Sequence, residues 1–252
     1  MRVAVDQVTL GFLLGEVHFP KTALFNRVIA KEVLIKSGGL SSKDRNVITD
    51  EVKQINWVFL LKESNTNITE YRSDEYDVLE IDYLDVQLRS GTHVKQIAKI
   101  LFDSIPKKLI VSFNWKSDEG ELVFTTVMAE YSGKRGANKA VSANKLIFSE
   151  LFNLQNAEIT SYFDFDKVGQ LTLETVYQAL LSGIEKFNFK KRFGKDYAGS
   201  LPLTEVNNEL AHLQDKHRIL LIKAKKERQL NLRMALVSEA RELLEKINEL
   251  KG

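Results

Sequence analysis

Cysteine is absent from the 252 residues, which excludes disulfides, thiolate-bound zinc and a thiol nucleophile. Proline occurs only three times, so little interrupts a helix once it has started. Histidine is also scarce: His18, His93, His212 and His217 are the whole set. His212 and His217 are five apart, whereas two imidazoles share one helix face at i,i+4. With no Cys to complete a ligand set, a zinc site is not expected. No apolar run approaches the ~20 residues of a membrane-spanning helix. Met1-Arg2-Val3-Ala4-Val5-Asp6 has no basic region leading into an apolar core, so it does not read as a signal peptide. The expectation that fits these absences is a soluble, cytoplasmic protein with no membrane partner.

What is present is concentrated at the end. Residues 203–251 contain neither Gly nor Pro and are rich in Leu, Ala, Glu, Lys, Arg and Gln, the strong helix formers. As a single rod they would span about 73 Å. Leu203, Val206, Leu210, Leu213, Leu220 and Ala224 keep a 3,4 alternation, with His217 in the seam. Leu236, Ala240, Leu243, Ile247 and Leu250 keep another, out of phase with the first. The shift falls near 223–231 and marks a local unwinding, a bend or a hinge between antiparallel helices. Heptad seams specify pairing without naming the mate. The leucines, Val206 and Ile247 are therefore expected to form an assembly interface with a second copy or another subunit. Net charge is +2, yet residues 186–252 hold 15 Lys/Arg against 9 Asp/Glu, a bias suited to an acidic partner or to a solvated helix flank.

The body, residues 1–186, reads as α+β: a mixed or antiparallel sheet with flanking helices. Strands are expected within 1–17, where Val3, Val5, Val8 and Leu10 alternate. A helix over 22–35 would carry Leu24, Phe25, Val28 and Ile29 on one face. Ser41 or Ser42 caps the next helix, striped by Val47, Ile48, Val52 and Ile55. Strands follow at 57–61, 76–84 and 109–115. A helix starting after Thr92, with Val94, Ile97, Ala98 and Leu101 inward, lies between the last two. A turn at 117–120 returns the chain as a hairpin partner over 122–129. Further strands or edge segments are expected at 146–152 and 159–165. Leu173, Val176, Tyr177, Leu180, Leu181 and Ile184 form a full amphipathic helix face. Residues 187–202 read as a linker to the coiled-coil helix at 203–252.

No reaction is announced. The segment 133–139 lacks the phosphate-loop spacing, and no Gly-x-Ser-x-Gly elbow occurs. Glu80 and Asp82, two apart on a strand, are the candidates for holding Mg²⁺ in a nuclease, although no Glu-x-Lys strand follows. The competing reading is an outward, solvated strand face. Lys134, Arg135 and Lys139 on a basic loop are candidates for meeting a nucleic-acid backbone. So are Lys190, Lys191 and Arg192, interleaved with Phe187, Phe189 and Phe193 as in a single-strand stacking surface. A solvated loop tip and a linker with docked aromatics are the plainer alternatives. No cofactor is implied.

Phe19-Pro20-Lys21-Thr22, Asn26-Arg27-Val28-Ile29 with Lys31, and Asp50–Trp57 resemble the prokaryotic domain-of-unknown-function family 4391. The Leu79-Glu80-Ile81 strand, Ile105-Pro106 before a hairpin, and Lys226–Asn231 fit the same family in order. Residues 1–17 lie outside the resemblance, and Ala30 stands where the family usually has Pro. The resemblance implies genes neighbouring DNA methyltransferases and superfamily-2 helicases in restriction-like or phage-defence clusters. It transfers no catalytic residue. The expectation is a non-catalytic accessory subunit that assembles through its C-terminal helix with itself or a helicase- or methyltransferase-type subunit, and touches DNA with its basic residues. A metal-dependent nuclease and a stand-alone nucleic-acid binder are the alternatives.

Overall fold

The computed structural model describes residues 7–37, 39–133, 141–154, 158–199 and 203–251. The chain forms two compact units divided between Phe187 and Asn188. Helix α1 (Gln7–Gly15) opens the first unit, where strands were expected. Leu13 and Val17 are buried and Leu10, Phe12 and Leu14 pack beside them. Val17 lies just past the end of α1, and the helix is apolar nearly all round, so periodicity gives no firm guide to its state; Val8 is left in solvent. The second departure is β1 (Leu24–Ile29), expected as a helix. It pairs antiparallel with β2 (Val52–Leu61), with Arg27 opposite Trp57 and Ile29 opposite Ile55. A short segment with ambiguous period took the free sheet edge, so long-range hydrogen bonding decided its state.

Helices α2 (Lys31–Ser37) and α3 (Ser42–Glu51) follow. Ser41 caps α3 as expected: its Oγ accepts from the Asp44 N–H at 3.2 Å. α3 ends at Glu51, so Val52 and Ile55 are buried in β2 rather than on a helix stripe. A polar excursion carries α4 (Glu63–Thr66) and the two-residue strands β3 (Tyr71–Arg72) and β4 (Asp77–Val78), which pair with each other. β5 (Ile81–Leu88), α5 (Val94–Ser104) and β6 (Lys108–Lys116) then form a parallel crossover. β7 (Leu122–Gly133) returns as the expected hairpin partner, and β8 (Val141–Phe148) adds the far edge. The six-stranded sheet runs β1-β2-β5-β6-β7-β8. It is mixed, with one parallel pair, and the α-plus-sheet class read from the sequence holds.

Each sheet face is covered. α2, α3 and α5 contribute Leu34, Ile48, Ile97 and Leu101 to a core with Leu84, Val86, Val111 and Val127. On the other face lie α1, 3₁₀ turns at Glu158–Ser161 and Phe165–Lys167, and α6 (Leu173–Phe193). The 159–165 stretch therefore supplies buried Ile159, Phe163 and Phe165 from turns, not from a strand. Phe19 stacks on Phe59 at 4.8 Å in this core. Gly183 is needed where α6 approaches the Tyr162 carbonyl: a Cβ there would lie 2.1 Å from that oxygen.

The second unit carries the end of α6 and two long helices, α7 (Leu203–Lys226) and α8 (Leu230–Lys251). The expected helical tail thus breaks at 227–229 without Gly or Pro. The Glu227 carboxylate accepts from the Gln229 N–H at 2.8 Å, competing with the helical ladder. The helices fold back on each other: Leu203, Val206, Leu210 and Leu213 pack with Leu243, Ile247 and Leu250.

Candidate functional site

The sheet places the two sequence candidates for metal binding among lysines. β2 and β5 pair so that Leu61 faces Ile81, and β5 and β6 so that Ile81 faces Lys108. Lys62, Glu80 and Lys107 are consequently neighbours at one end of three adjacent strands. Lys62 Nζ lies 2.8 Å from Glu80, and Lys107 binds the other Glu80 oxygen while lying 3.8 Å from Asp82. Lys107 also sits over the Trp57 ring, 5.6 Å from its centroid. Burial would raise the Glu80 carboxyl, but hydrogen bonds from Lys107 and Lys62 hold it below its ordinary value. Asp82 is 3% exposed with one carboxyl oxygen unpartnered. Burial pushes its pKa up to about 7 against the pull of Lys107. Two carboxylates beside two ammonium groups are already neutralised, so a divalent ion would have to displace a lysine. Among the described residues no three His, Asp or Glu side chains converge on a common metal position. The pair that spacing suggested does come together, as an ion-pair cluster.

Beside it, Lys108 is 1% exposed. Its ammonium lies 3.0 Å from Glu174 on α6 and 4.7, 4.7 and 5.3 Å from the ring centroids of Tyr131, Tyr177 and Tyr76. Desolvation lowers the Lys108 pKa, opposed by Glu174. The ring hydroxyls are themselves tied. Tyr177 accepts from the Ala129 N–H and donates to the Leu109 carbonyl; Tyr131 accepts from the Leu109 N–H; Tyr76 donates to Glu174. Burial pushes the Tyr76 hydroxyl up to about 12. This closed cage pins β6 to α6. Farther along the sheet, Asp85 accepts from Asn56 at 3.1 Å and Asn114 at 2.7 Å, joining three strands through buried side chains. These are structural roles by their burial and satisfaction.

The nucleic-acid candidates divide. Lys134, Arg135 and Lys139 lie outside the described residues. Lys190, Lys191 and Arg192 form the last turn of α6, not part of a linker. Lys190 pairs with Asp196 at 3.0 Å. Phe187 and Phe189 are buried, Phe187 beside Phe152 and Phe189 against Phe193 and Tyr197. Both rings sit in cores, as in the plainer reading of docked aromatics, because burial removes aromatic area from water, and neither presents a face for a base to stack on.

The helical hairpin changes the assembly reading in a specific way. Leu203, Val206, Leu210, Leu213 and Ile247 are buried, with Leu243 and Leu250 packed on them, all inside the hairpin. Leu220 and Leu236 are half-buried. The expected interface is therefore largely filled by the chain itself: a rod that folds back covers its own seam. A different stripe faces solvent. Leu230, Met234, Val237 and Leu244 recur at 4,3 and 7 on α8, and all are exposed, Met234 at 63%. Together with Leu221 and Ala224 of α7, Met234 and Val237 line a groove of about 630 Å³. Lys225, Arg233 and Arg241 line the same groove.

A family model described as Domain of unknown function (DUF4391) matches residues 17–247. The chain belongs to this family. The match takes in the sheet, α6 and nearly all of the hairpin, so both units are part of what defines a DUF4391 member, while α1 precedes it. No curated protein and no solved structure matches the chain. No helix among the described residues is long and apolar enough to cross a membrane.

Reading the sequence for motifs missed Lys62, Lys107, Lys108 and Glu174, because no local spacing links them: strand register and a helix 66 residues away bring Lys108 and Glu174 together. The periodicity of the α8 stripe, though not its exposure, was present in the residue order. The stripe sits one position from the seam at 236, 240, 243, 247 and 250, and a count of every 4,3 repeat would have found it.

Proposed function

We propose that this DUF4391 protein is a non-catalytic adaptor subunit, working in the cytoplasm, that recruits a protein partner through the outer face of its α7–α8 hairpin. The observation that carries this reading is the solvent-facing stripe Leu230, Met234, Val237 and Leu244 beside a groove of mixed apolar and cationic lining. Contiguous apolar surface rimmed by polar groups is characteristic of interaction sites. The neutralised carboxylate cluster supports the non-catalytic part, since Glu80 is engaged by Lys62 and Lys107. The setting implied by the family resemblance, a DNA-directed restriction-like or defence assembly, is where we place the partner.

The test is affinity purification of the tagged full chain from its native host, alongside a Met234→Glu/Val237→Glu variant. Both positions are exposed, so the variant keeps its helicity. The adaptor reading expects a partner protein in fixed stoichiometry with the wild type and its loss from the variant. A wild-type chain that purifies alone, or a partner retained equally by the variant, refutes it.

A further inference from the structure

We infer that the occupant of the α7–α8 groove is an amphipathic helix of a partner protein whose flanks are acidic, an inference that rests on the adaptor reading above. The groove is lined by the apolar Leu221, Ala224, Met234 and Val237 together with Ser238 and the cations Lys225, Arg233 and Arg241. Residues 223–241 hold six Lys/Arg against two Glu. Arg241 has one long contact, 3.8 Å to Glu245, and Lys225 and Arg233 have no ion-pair partner among the described residues. The rim is a field of one sign waiting for its complement.

The shape selects a helix. The α8 residues that line the groove, Arg233 to Arg241, run 8 residues along the helix, about 12 Å at 1.5 Å per residue, or roughly two helical turns. A valley between two antiparallel helices receives the ridge of a third. A strand finds nothing to pair with, since backbone groups within both helices are already bonded along the helix axis. A second copy of this chain is disfavoured by the same rim. An isologous pairing sets each patch against itself, bringing Lys225, Arg233 and Arg241 towards their own counterparts. Nucleic acid is disfavoured by the apolar half of the lining, where Met234 and Val237 would desolvate phosphates without donating a hydrogen bond.

The experiment uses the full chain and two fluorescent peptides of about five turns. They share one Leu/Ile stripe at helical spacing; one has Glu on both flanks and the other Lys. Fluorescence anisotropy is expected to show saturable binding of the Glu peptide, at least about tenfold tighter than the Lys peptide. Val237→Glu should abolish binding, and Arg233→Glu/Arg241→Glu should invert the preference. The inference is overturned by no saturable binding, by Lys-peptide binding equal to or tighter than that of the Glu peptide, or by affinity unchanged in Val237→Glu. A concentration-dependent dimer in sedimentation that Val237→Glu dissolves assigns the groove to a second copy and also overturns it. Failure of this inference is separable from failure of the adaptor reading. Host purification can still yield a partner lost with Met234→Glu/Val237→Glu, in which case the partner's chemistry alone was misassigned.

Discussion

Replacing Lys108 with Met tests whether the tyrosine cage holds the sheet to α6. Methionine has similar reach and no charge, so the cavity stays filled while the cation disappears. Glu174 is then left with Tyr76 and Gln178 as donors, 3.1 and 2.8 Å away on the same oxygen. Its side chain is 12% exposed, so water replaces little of the lost ion pair. Breaking one side of a buried pair typically costs about 3–5 kcal/mol. Each ring that loses its cation adds about 0.5–2 kcal/mol before non-additivity is allowed for. Since Glu174 keeps two neutral donors and some solvent, the lower figure, about 3 kcal/mol, is the expectation. Followed by urea unfolding with a slope of about 3 kcal/mol per molar, that is a midpoint shift of roughly 1 M. The double variant Lys108→Met/Glu174→Leu removes both charges and should recover most of the loss, because apolar replacement of a whole buried pair is often neutral. A single variant costing less than about 1 kcal/mol, or a double variant as unstable as the single, would sink the argument that the pair and not the packing matters.

Three further outcomes are expected. The Asp82 carboxyl is raised by burial to about 7. Its folded value exceeds its unfolded one, so it contributes least destabilisation at acidic pH and its full penalty above pH 7. Asp82→Asn should therefore raise stability by an amount on the order of 2 kcal/mol above neutrality, seen as a higher Tm, and change it little near pH 4; equal shifts at both would refute it. His18 is raised above 6.5 chiefly by its hydrogen bond to Asp164 at 2.8 Å. The stability it contributes is complete below pH 6.5 and is lost as pH rises through the folded value, so a melting profile of His18→Gln should lack that alkaline step. Finally, Leu210→Ala, in the hairpin seam, should cost about 2–5 kcal/mol and reduce helicity by circular dichroism. Val237→Glu, on the exposed stripe, should change stability by no more than about 0.5 kcal/mol and leave helicity unchanged; the reverse ranking would mean that the two faces are misassigned.

How far the chain could be read in advance varied with the range of the forces involved. α5 and α6 were legible because their inward faces, Val94–Leu101 and Leu173–Ile184, repeat at helical period over many residues. Ser41 was legible as a cap because its bond reaches only three residues. The β6–β7 hairpin was legible because alternation meets a turn at Gly120, which adopts φ +83°. By contrast β1 was misread as a helix, since Leu24–Ile29 is short and its state depends on a partner, β2, about 30 residues away. The carboxylates Glu80 and Asp82 were visible as a pair, but Lys62 and Lys107, which decide what that pair can do, arrive from neighbouring strands.

The hairpin draws the line most sharply. Helicity over 203–251, the two seams and their phase shift were all contained in residue order, because propensity and 3.6-residue periodicity act within a few turns. Which face would remain in water was not. Once the chain breaks at Glu227 and doubles back, the stronger seam is covered by Leu243, Ile247 and Leu250, and the weaker stripe on α8 becomes the surface a partner can reach. Burial is a property of who packs against whom, and that choice is made only when distant segments compete for the same apolar area.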